Sequence, residues 1–158
     1  MQTPRTHFLD NRLPPLLVAL GVAAIMRGAA ALAPALFIHW PGREVVASVL
    51  AVVGALVIFA GVGSFTRHKT TVNPFNPGRA SNLVDAGIYG RTRNPMYLGV
   101  AAALFGYAAF VSHPLALLAA GLFPAYIQRF QIGPEERALD RVFGEAYENY
   151  KKRVPRWF

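Results

Sequence analysis

The chain alternates between long apolar runs and shorter polar stretches, a pattern that predicts helices crossing a membrane. Residues 13–38 contain a single charged side chain, Arg27, and residues 45–65 contain none. Since a helix needs about 20 predominantly apolar residues to cross the hydrocarbon core of a bilayer, both runs are long enough. Residues 45–65 also offer no polar face to water, which argues against the alternative of a soluble helical bundle.

Two shorter uncharged runs, residues 96–111 and 115–127, are separated only by residues 112–114 and predict a tight helical hairpin. Asn94 and Pro95 precede the hairpin and predict its start, with Asn94 as the N-cap and Pro95 at the first helical position. The chain is therefore expected to be an all-α integral membrane protein with four transmembrane helices in a single domain.

A further helix is predicted to begin at Gly133-Pro134, after the hairpin. One face of it is apolar, because apolar residues recur there every three or four positions. These residues are Leu139, Phe143, Tyr147, Tyr150 and Val154. Such a C-terminal amphipathic helix either lies in the headgroup region of the bilayer or covers a site formed by the loop before the third helix, and the two roles are compatible.

Basic residues flank the apolar runs asymmetrically and predict an orientation. They precede the first helix, occupy the long loop of residues 66–94 or follow the fourth helix; they are Arg5, Arg12, Arg67, Lys69, Arg79, Arg91, Arg93, Arg129, Arg137, Arg141, Lys151, Lys152, Arg153 and Arg156. The opposite loops hold a single Lys or Arg side chain, Arg43, beside Glu44, and the histidines His39 and His113. The positive-inside rule therefore places both termini and the long loop in the cytoplasm.

The long loop contains turn signals at Asn73-Pro74 and Asn76-Pro77-Gly78. A loop of this length in so small a protein is more often functional than idle.

Composition narrows the possible chemistry. The net charge of +8 is explained by the membrane-facing loops, and no nucleic-acid-reading motif accompanies it, so a bilayer is the expected partner and nucleic acid is not. The absence of cysteine excludes a thiolate nucleophile and thiolate metal ligands. His39, His68 and His113 lack metal-ligand spacing, and we expect no metal.

The first apolar run raises two further questions. Ala31-Leu32-Ala33 resembles a signal-peptide cleavage site, but Asp10 before the run and Arg27 within it argue against cleavage. Arg27 is either a functional intramembrane charge or a side chain that extends to the membrane surface.

Two clusters could carry chemistry. The first, residues 87–99, combines a glycine-rich turn, Arg91, Arg93 and a helix start, which together suit an anionic group. Interfacial arginines beside a capped helix would explain the same residues without any ligand. The second begins with Glu135 and Glu136, which either favour the dipole of a first helical turn or face a cationic cofactor or hydroxyl groups.

Taken together, the clusters resemble the isoprenylcysteine carboxyl methyltransferase family and the related phospholipid methyltransferases, over about residues 70–155. The family signature Gly-x-Tyr-x-x-x-Arg-His-Pro-x-Tyr-x-Gly is matched by Gly87, Tyr89, Arg93, Pro95, Tyr97 and Gly99. A second signature is matched by Glu135, Glu136, Leu139, Phe143, Gly144, Tyr147 and Tyr150. The usual histidine is replaced by Asn94, which can hydrogen-bond a ligand but cannot act as a base near neutral pH.

This resemblance implies an enzyme of the bacterial inner membrane that uses S-adenosylmethionine to methylate a lipidic or small hydrophobic acceptor. It implies cofactor contacts from Gly87, Tyr89, Arg93, Asn94, Pro95, Tyr97, Gly99, Glu135, Glu136 and Tyr147. Glu136 and Arg129 are the candidates for a direct part in the reaction, Arg129 as the residue that holds an anionic acceptor. Ordinary membrane anchoring would also explain Arg129.

The alternatives are a membrane reductase of similar architecture that uses a nicotinamide cofactor, and a non-catalytic small membrane protein or transporter. No dinucleotide fingerprint supports the reductase, and Arg27 alone is too little for a transport pathway. For an enzyme, Pro124 predicts a kink in the fourth helix and a lateral gap for the acceptor, lined by Ala101 and Ala125.

Overall fold

The computed structural model describes residues 7–67 and 83–158, and every regular element within these ranges is helical. The helices are α1 (Pro15–Leu32), α2 (Arg43–Arg67), α3 (Pro95–Val111), α4 (Pro114–Ala120), α5 (Leu122–Ile127), α6 (Gly133–Phe143) and α7 (Glu145–Arg153). The same ranges contain 3₁₀ turns at Pro34–Leu36 and Gly87–Gly90 and a π-helical segment at Gln128–Ile132. The predicted all-α fold is confirmed for these residues, whereas His68 and the turns predicted at residues 73–78 lie outside them.

Three helical stretches are long and apolar enough to cross a membrane, namely Pro15–Leu32, Arg43–Thr66 and Pro114–Phe143. Large apolar side chains such as Leu20 and Leu56 are exposed on them, as expected where lipid rather than water surrounds a helix. These helices support the prediction of an integral membrane protein. Helix α3 is apolar but shorter, so a fourth crossing stays a prediction.

Helices α2 and α3 pack closely because glycines face each other along their contact. A Cβ atom added to Gly99 would lie 2.5 Å from the carbonyl oxygen of Gly54, and one added to Gly106 would lie 3.0 Å from the carbonyl oxygen of Ala47. Small residues, glycine above all, let backbones approach this closely in membrane helices. Helix packing thus accounts for Gly99.

The predicted hairpin between α3 and α4 is confirmed, and side-chain hydrogen bonds hold its turn. Ser112 adopts a left-handed conformation (φ 55°), and His113 Nδ1 accepts a hydrogen bond from the Leu115 amide in the first turn of α4. The other ring nitrogen, Nε2, lies 2.9 Å from the carbonyl oxygen of Ala33 and donates to it. The hairpin turn is therefore tied to the end of α1.

The main core lies where α3, α4 and α5 pack against α1, around Met26, Leu104 and Phe123. Ala101 is buried in this core, whereas Ala125 is exposed. The prediction that these two alanines line one lateral gap is therefore wrong, since a bulky side chain at Ala101 would disrupt the core instead of filling a gap.

The helix predicted to begin at Gly133 is instead continuous with α5 through the π-helical segment Gln128–Ile132. Pro134 causes the departure from regular α-helical hydrogen bonding. It has no amide hydrogen, and its ring prevents the carbonyl four residues earlier from accepting a bond within the helix. That carbonyl, of Phe130, accepts a hydrogen bond of 2.9 Å from the Asn11 amide. Nearer the hairpin, the α-helix is interrupted at Gly121, three residues before the predicted kink at Pro124.

The C-terminal region forms two helices, so the prediction of one amphipathic helix has the wrong bounds. Gly144 separates α6 from α7 and has φ +49°, a left-handed conformation that suits glycine. The predicted apolar face nevertheless comes together, because the side chains on both sides of Gly144 share one buried cluster. Its members are Leu83, Leu139, Phe143, Tyr147, Tyr150 and Val154.

Candidate active site

Polar side chains from four segments meet at one end of the apolar helices. The segments are residues 85–94, the first turn of α3, the first turn of α6 and the C-terminal tail, residues 154–158. The N-terminal turn lies at the same end, because Asn11 is hydrogen-bonded to Phe130 and Asp10 forms a 2.8 Å ion pair with Arg137.

One hydrogen bond joins the two signatures directly. The Tyr97 hydroxyl, on α3, donates to Glu135 Oε1, on α6, over 2.6 Å. Tyr97 is buried, and a hydrogen bond to a carboxylate in such surroundings is short and strong. The bond places Glu135 beside the start of α3, as a cofactor site shared by both signatures requires.

Glu136 is held by two arginines. Its Oε1 forms an ion pair of 3.0 Å with Arg93 Nη1. The same oxygen accepts a hydrogen bond of 3.0 Å from Arg156 Nε, and Oε2 accepts one from Arg156 Nη2. Its side chain is only 14% exposed and that of Arg93 11%. Because both oxygens are engaged by the chain itself, the structure favours a positioning role for Glu136 over the predicted direct contact with the reactants.

Arg156 organises the tail through its backbone as well. Its carbonyl oxygen accepts from Asn94 Nδ2 (2.9 Å) and from the Thr92 hydroxyl (3.3 Å), and the Arg93 amide donates to the Pro155 carbonyl (3.0 Å). Asn94 does occupy the predicted N-cap position, but its side chain makes no capping hydrogen bond and binds the tail instead. The signatures end before Arg156, so neither singles it out.

Three buried tyrosines line the region beside Arg93. The Tyr150 hydroxyl donates to the Tyr89 carbonyl oxygen over 2.8 Å, and the positive charge of Arg93 lies near both Tyr147 and Tyr150. Burial raises the pKa of Tyr89, Tyr147 and Tyr150 above the ordinary value for tyrosine. All three are therefore neutral hydrogen-bonding groups at physiological pH.

Three predicted site residues stand apart from this network. Arg129 is exposed and stacks on Phe130, with its guanidinium carbon 5.4 Å from the ring centre. Gly99 lies in the contact between α2 and α3. Gly87 opens the 3₁₀ turn that precedes α3, and its φ of +64° explains why this position is glycine.

The residues present fit the functional groups of S-adenosylmethionine. Arg93 Nε is buried and has no hydrogen-bond partner among the described residues, so it has a donor available for a carboxylate. Glu135 supplies a carboxylate that can accept from an ammonium or a ribose hydroxyl. Within residues 7–67 and 83–158, no group of three or more metal-ligating side chains could hold a metal ion.

These features define the class of protein, an integral membrane protein with a buried polar site at one end of its apolar helices. The family model for phospholipid methyltransferases matches residues 43–146, more than half of the chain, and the chain therefore belongs to that family. The match includes every predicted site residue except Tyr147.

An uncharacterized protein of Haemophilus influenzae is 37% identical to this chain over 62 residues, which cover 39% of this chain and 98% of the relative. No solved structure matches the chain.

Proposed function

We propose that this protein transfers a methyl group from S-adenosylmethionine to a lipidic or small hydrophobic acceptor at the cytoplasmic face of the membrane. The observation that carries this proposal is the Tyr97–Glu135 hydrogen bond, because it brings two distant signatures of a methyltransferase family into one buried site at the end of apolar helices. Neither the reductase nor the transporter alternative gains support from the structure or from the family.

In this proposal, Arg93 holds the carboxylate of the cofactor and Glu135 accepts from its ammonium or ribose hydroxyls. The same space is surrounded by Tyr89, Asn94 and Tyr147, and the backbone around it is shaped by Gly87, Pro95 and Gly99. Tyr97 acts by holding Glu135, and Glu136 acts by holding its two arginines. The proposal thus retains all the predicted cofactor neighbours. The bound cofactor supplies an electrophilic methyl group on a sulfonium. The chain contributes mainly by orientation, since in-line displacement depends on the alignment of the reactants.

The acceptor side of the site is proposed to lie toward Arg129. This exposed cation sits at the polar end of α5, where the headgroup of a membrane-bound acceptor would arrive. An arginine there can hold an anionic group of the acceptor by charge-assisted hydrogen bonds. Asn94 cannot remove a proton, so the acceptor atom must be a nucleophile without its help.

The proposed topology has four crossings, with α3 as the third, and both termini in the cytoplasm. Contacts of Asn11 with Phe130 and of Arg156 with Glu136 support it, because they bring residues from both ends of the chain to the same end of the bundle. Reporter domains fused after Trp40 and after His113 are expected to be active on the outer side of the membrane. A cytoplasmic reporter signal at either position would contradict this arrangement.

Glu135→Gln is expected to weaken S-adenosylmethionine binding by about tenfold or more, because one charge-assisted hydrogen bond contributes roughly 1.5–3 kcal/mol. Isothermal titration calorimetry of the purified protein in detergent measures the affinity. Glu145→Gln is a matched control, since Glu145 is an exposed glutamate in the first turn of the neighbouring helix α7. Equal affinity of the Glu135 variant and this control would show that Glu135 serves only to hold Tyr97.

A further inference from the structure

An apolar cavity lies at the end of the bundle opposite to the candidate active site. Its volume is about 440 Å³, within the range of ligand pockets, and its lining is almost entirely apolar. Trp40, Leu50, Phe105, Ala109 and Leu117 contribute to its walls. Several wall residues are partly exposed, Leu117 among them, so the cavity opens sideways onto the surface that faces lipid.

Its position along the bundle is given by α3. This helix begins beside the active site at Pro95 and reaches the cavity between Phe105 and its last turn. At 1.5 Å per residue, Ala109 lies about 20 Å from Pro95 along the helix axis. With the active site at the cytoplasmic face, as proposed above, the cavity is in the opposite leaflet and too far away to hold a group that is being methylated there.

A cation stands beside the cavity. Arg43 is the first residue of α2, one helical turn before the lining residue Val46, and its guanidinium stacks on Phe37 at 5.4 Å and on Phe110 at 5.9 Å. Phe37 and Phe110 are chain neighbours of Ile38 and Ala109, which line the cavity. The only ion contact of Arg43 among the described residues is with Glu44, at 3.8 Å, and the Glu44 side chain is 73% exposed. Such an exposed contact is weak, so the positive charge is available to another partner.

We propose that the cavity binds one acyl chain of an anionic glycerophospholipid from the leaflet opposite to the active site, with the lipid phosphate at Arg43. An apolar cavity open to hydrocarbon suits an acyl chain, and a guanidinium held by two aromatic rings suits a phosphate at the membrane surface. Trp40, in the cavity wall, is of the residue type that favours the boundary between hydrocarbon and headgroups. The phosphate is common to both lipid classes, but a zwitterionic headgroup also brings a cation that Arg43 repels, so an anionic lipid is favoured.

Quenching of Trp40 fluorescence by lipid with brominated acyl chains tests the proposal without any measurement of methylation. Trp40 and Trp157 are the two tryptophans of the chain, so the full-length protein carrying Trp157→Phe reports on the cavity alone; circular dichroism verifies its fold. Brominated phosphatidylglycerol, titrated into the protein in detergent, is expected to quench Trp40 saturably. Phosphatidylglycerol is expected to quench the Arg43→Gln variant only at about tenfold higher concentration, since one charge-assisted contact is lost. Brominated phosphatidylcholine is expected to need a higher concentration than phosphatidylglycerol, because its choline cation offsets the attraction of its phosphate to Arg43.

Ala109→Phe fills the cavity and is expected to abolish saturable quenching. Leu118→Phe is its matched control, because Leu118 is exposed to lipid beside Leu117 but does not line the cavity. Equal quenching in these two variants would overturn the site. Equal half-quenching concentrations for phosphatidylglycerol with and without Arg43→Gln would overturn the role of Arg43, and equal values for the two lipids would overturn the preference for an anionic lipid. A dimer in detergent that Ala109→Phe converts to a monomer would show that a second copy of the chain, not a lipid, occupies the cavity.

Discussion

Glu136→Gln is expected to lower the affinity for S-adenosylmethionine at least tenfold and to release the C-terminal tail from the start of α3. The substitution removes the charge that Arg93 and Arg156 share. Arg93 then lies buried without its counter-ion, an unfavourable state for a charge in a protein interior. Calorimetry measures the affinity, and hydrogen exchange of the amides in residues 154–158 measures the release of the tail.

Arg156→Gln separates a positioning role of Glu136 from direct contact with the cofactor. If Glu136 acts by holding the tail, Arg156→Gln lowers the affinity as well. The variant with both Glu136→Gln and Arg156→Gln then loses less affinity than the sum of the two separate free-energy changes would predict. If Glu136 contacts the cofactor directly, Arg156→Gln leaves the affinity nearly normal. Arg153→Gln is the control, because its ion pair with Asp85 is exposed, with 66% and 43% of the two side chains accessible, and contributes little.

Gly99→Ala is expected to destabilise the protein by roughly 1–3 kcal/mol, the usual cost of an overpacked contact. The new methyl group would lie 2.5 Å from the Gly54 carbonyl oxygen and 2.7 Å from Ile58 Cγ1, so α2 and α3 must separate. Since α3 carries Tyr97, cofactor affinity is expected to fall together with stability. Unfolding of the detergent-solubilised protein, followed by circular dichroism, measures the first effect, and calorimetry measures the second.

Two further alanine variants test whether the close contact between α2 and α3 causes the losses of stability and affinity expected for Gly99→Ala. Gly54→Ala enters the same contact from α2, at 2.5 Å from the Gly99 carbonyl oxygen, and is expected to reproduce both losses. Gly63→Ala, on α2 where an added methyl group meets nothing within 4 Å, is expected to leave stability unchanged or slightly raised. Should Gly54→Ala destabilise the protein while affinity stays normal, Gly99 would have a cofactor contact of its own.

The membrane helices were predictable because their signal is local. A crossing helix must satisfy its own backbone hydrogen bonds and bury its own apolar length, so residues 13–38 and 45–65 carry the evidence for α1 and α2 within themselves. The start of α3 at Asn94-Pro95 was predictable for the same reason. The hydrogen-bond partner of the Asn94 side chain was not predictable, since this partner, the Arg156 carbonyl, lies 62 positions later.

The C-terminal region shows where helical periodicity fails as a guide. The apolar spacing from Leu139 to Val154 continues across Gly144, and a positive φ at one glycine leaves no mark on that spacing. The gathering of these side chains was therefore predicted correctly while the helix bounds were not. The continuity of α5 with α6 was missed in a similar way, because Gly133-Pro134 resembles a helix start and the compensating hydrogen bond comes from Asn11.

The signatures supply the residues of the candidate site but not the pairing of its charges. Glu135 and Glu136 are adjacent, and nothing in the sequence distinguishes the one that meets Tyr97 from the one that meets the arginines. Their separation follows from the 100° turn per residue of α6, which directs neighbouring side chains to different partners.

The π-helical segment Gln128–Ile132 sets the rotation of α6, which carries the site glutamates, relative to α5 in the membrane-spanning part of the same helix. A π turn contains one residue more than an α turn, so everything beyond it is rotated by about 100° relative to an uninterrupted helix. Glu135 faces Tyr97 at that rotation, while the apolar residues of α5 keep their own orientation toward the core. Loss of a single residue from this segment would remove about 100° of that rotation and carry both glutamates away from α3. The alignment of the two glutamates with the start of α3 thus depends on a residue count, which a one-residue deletion changes.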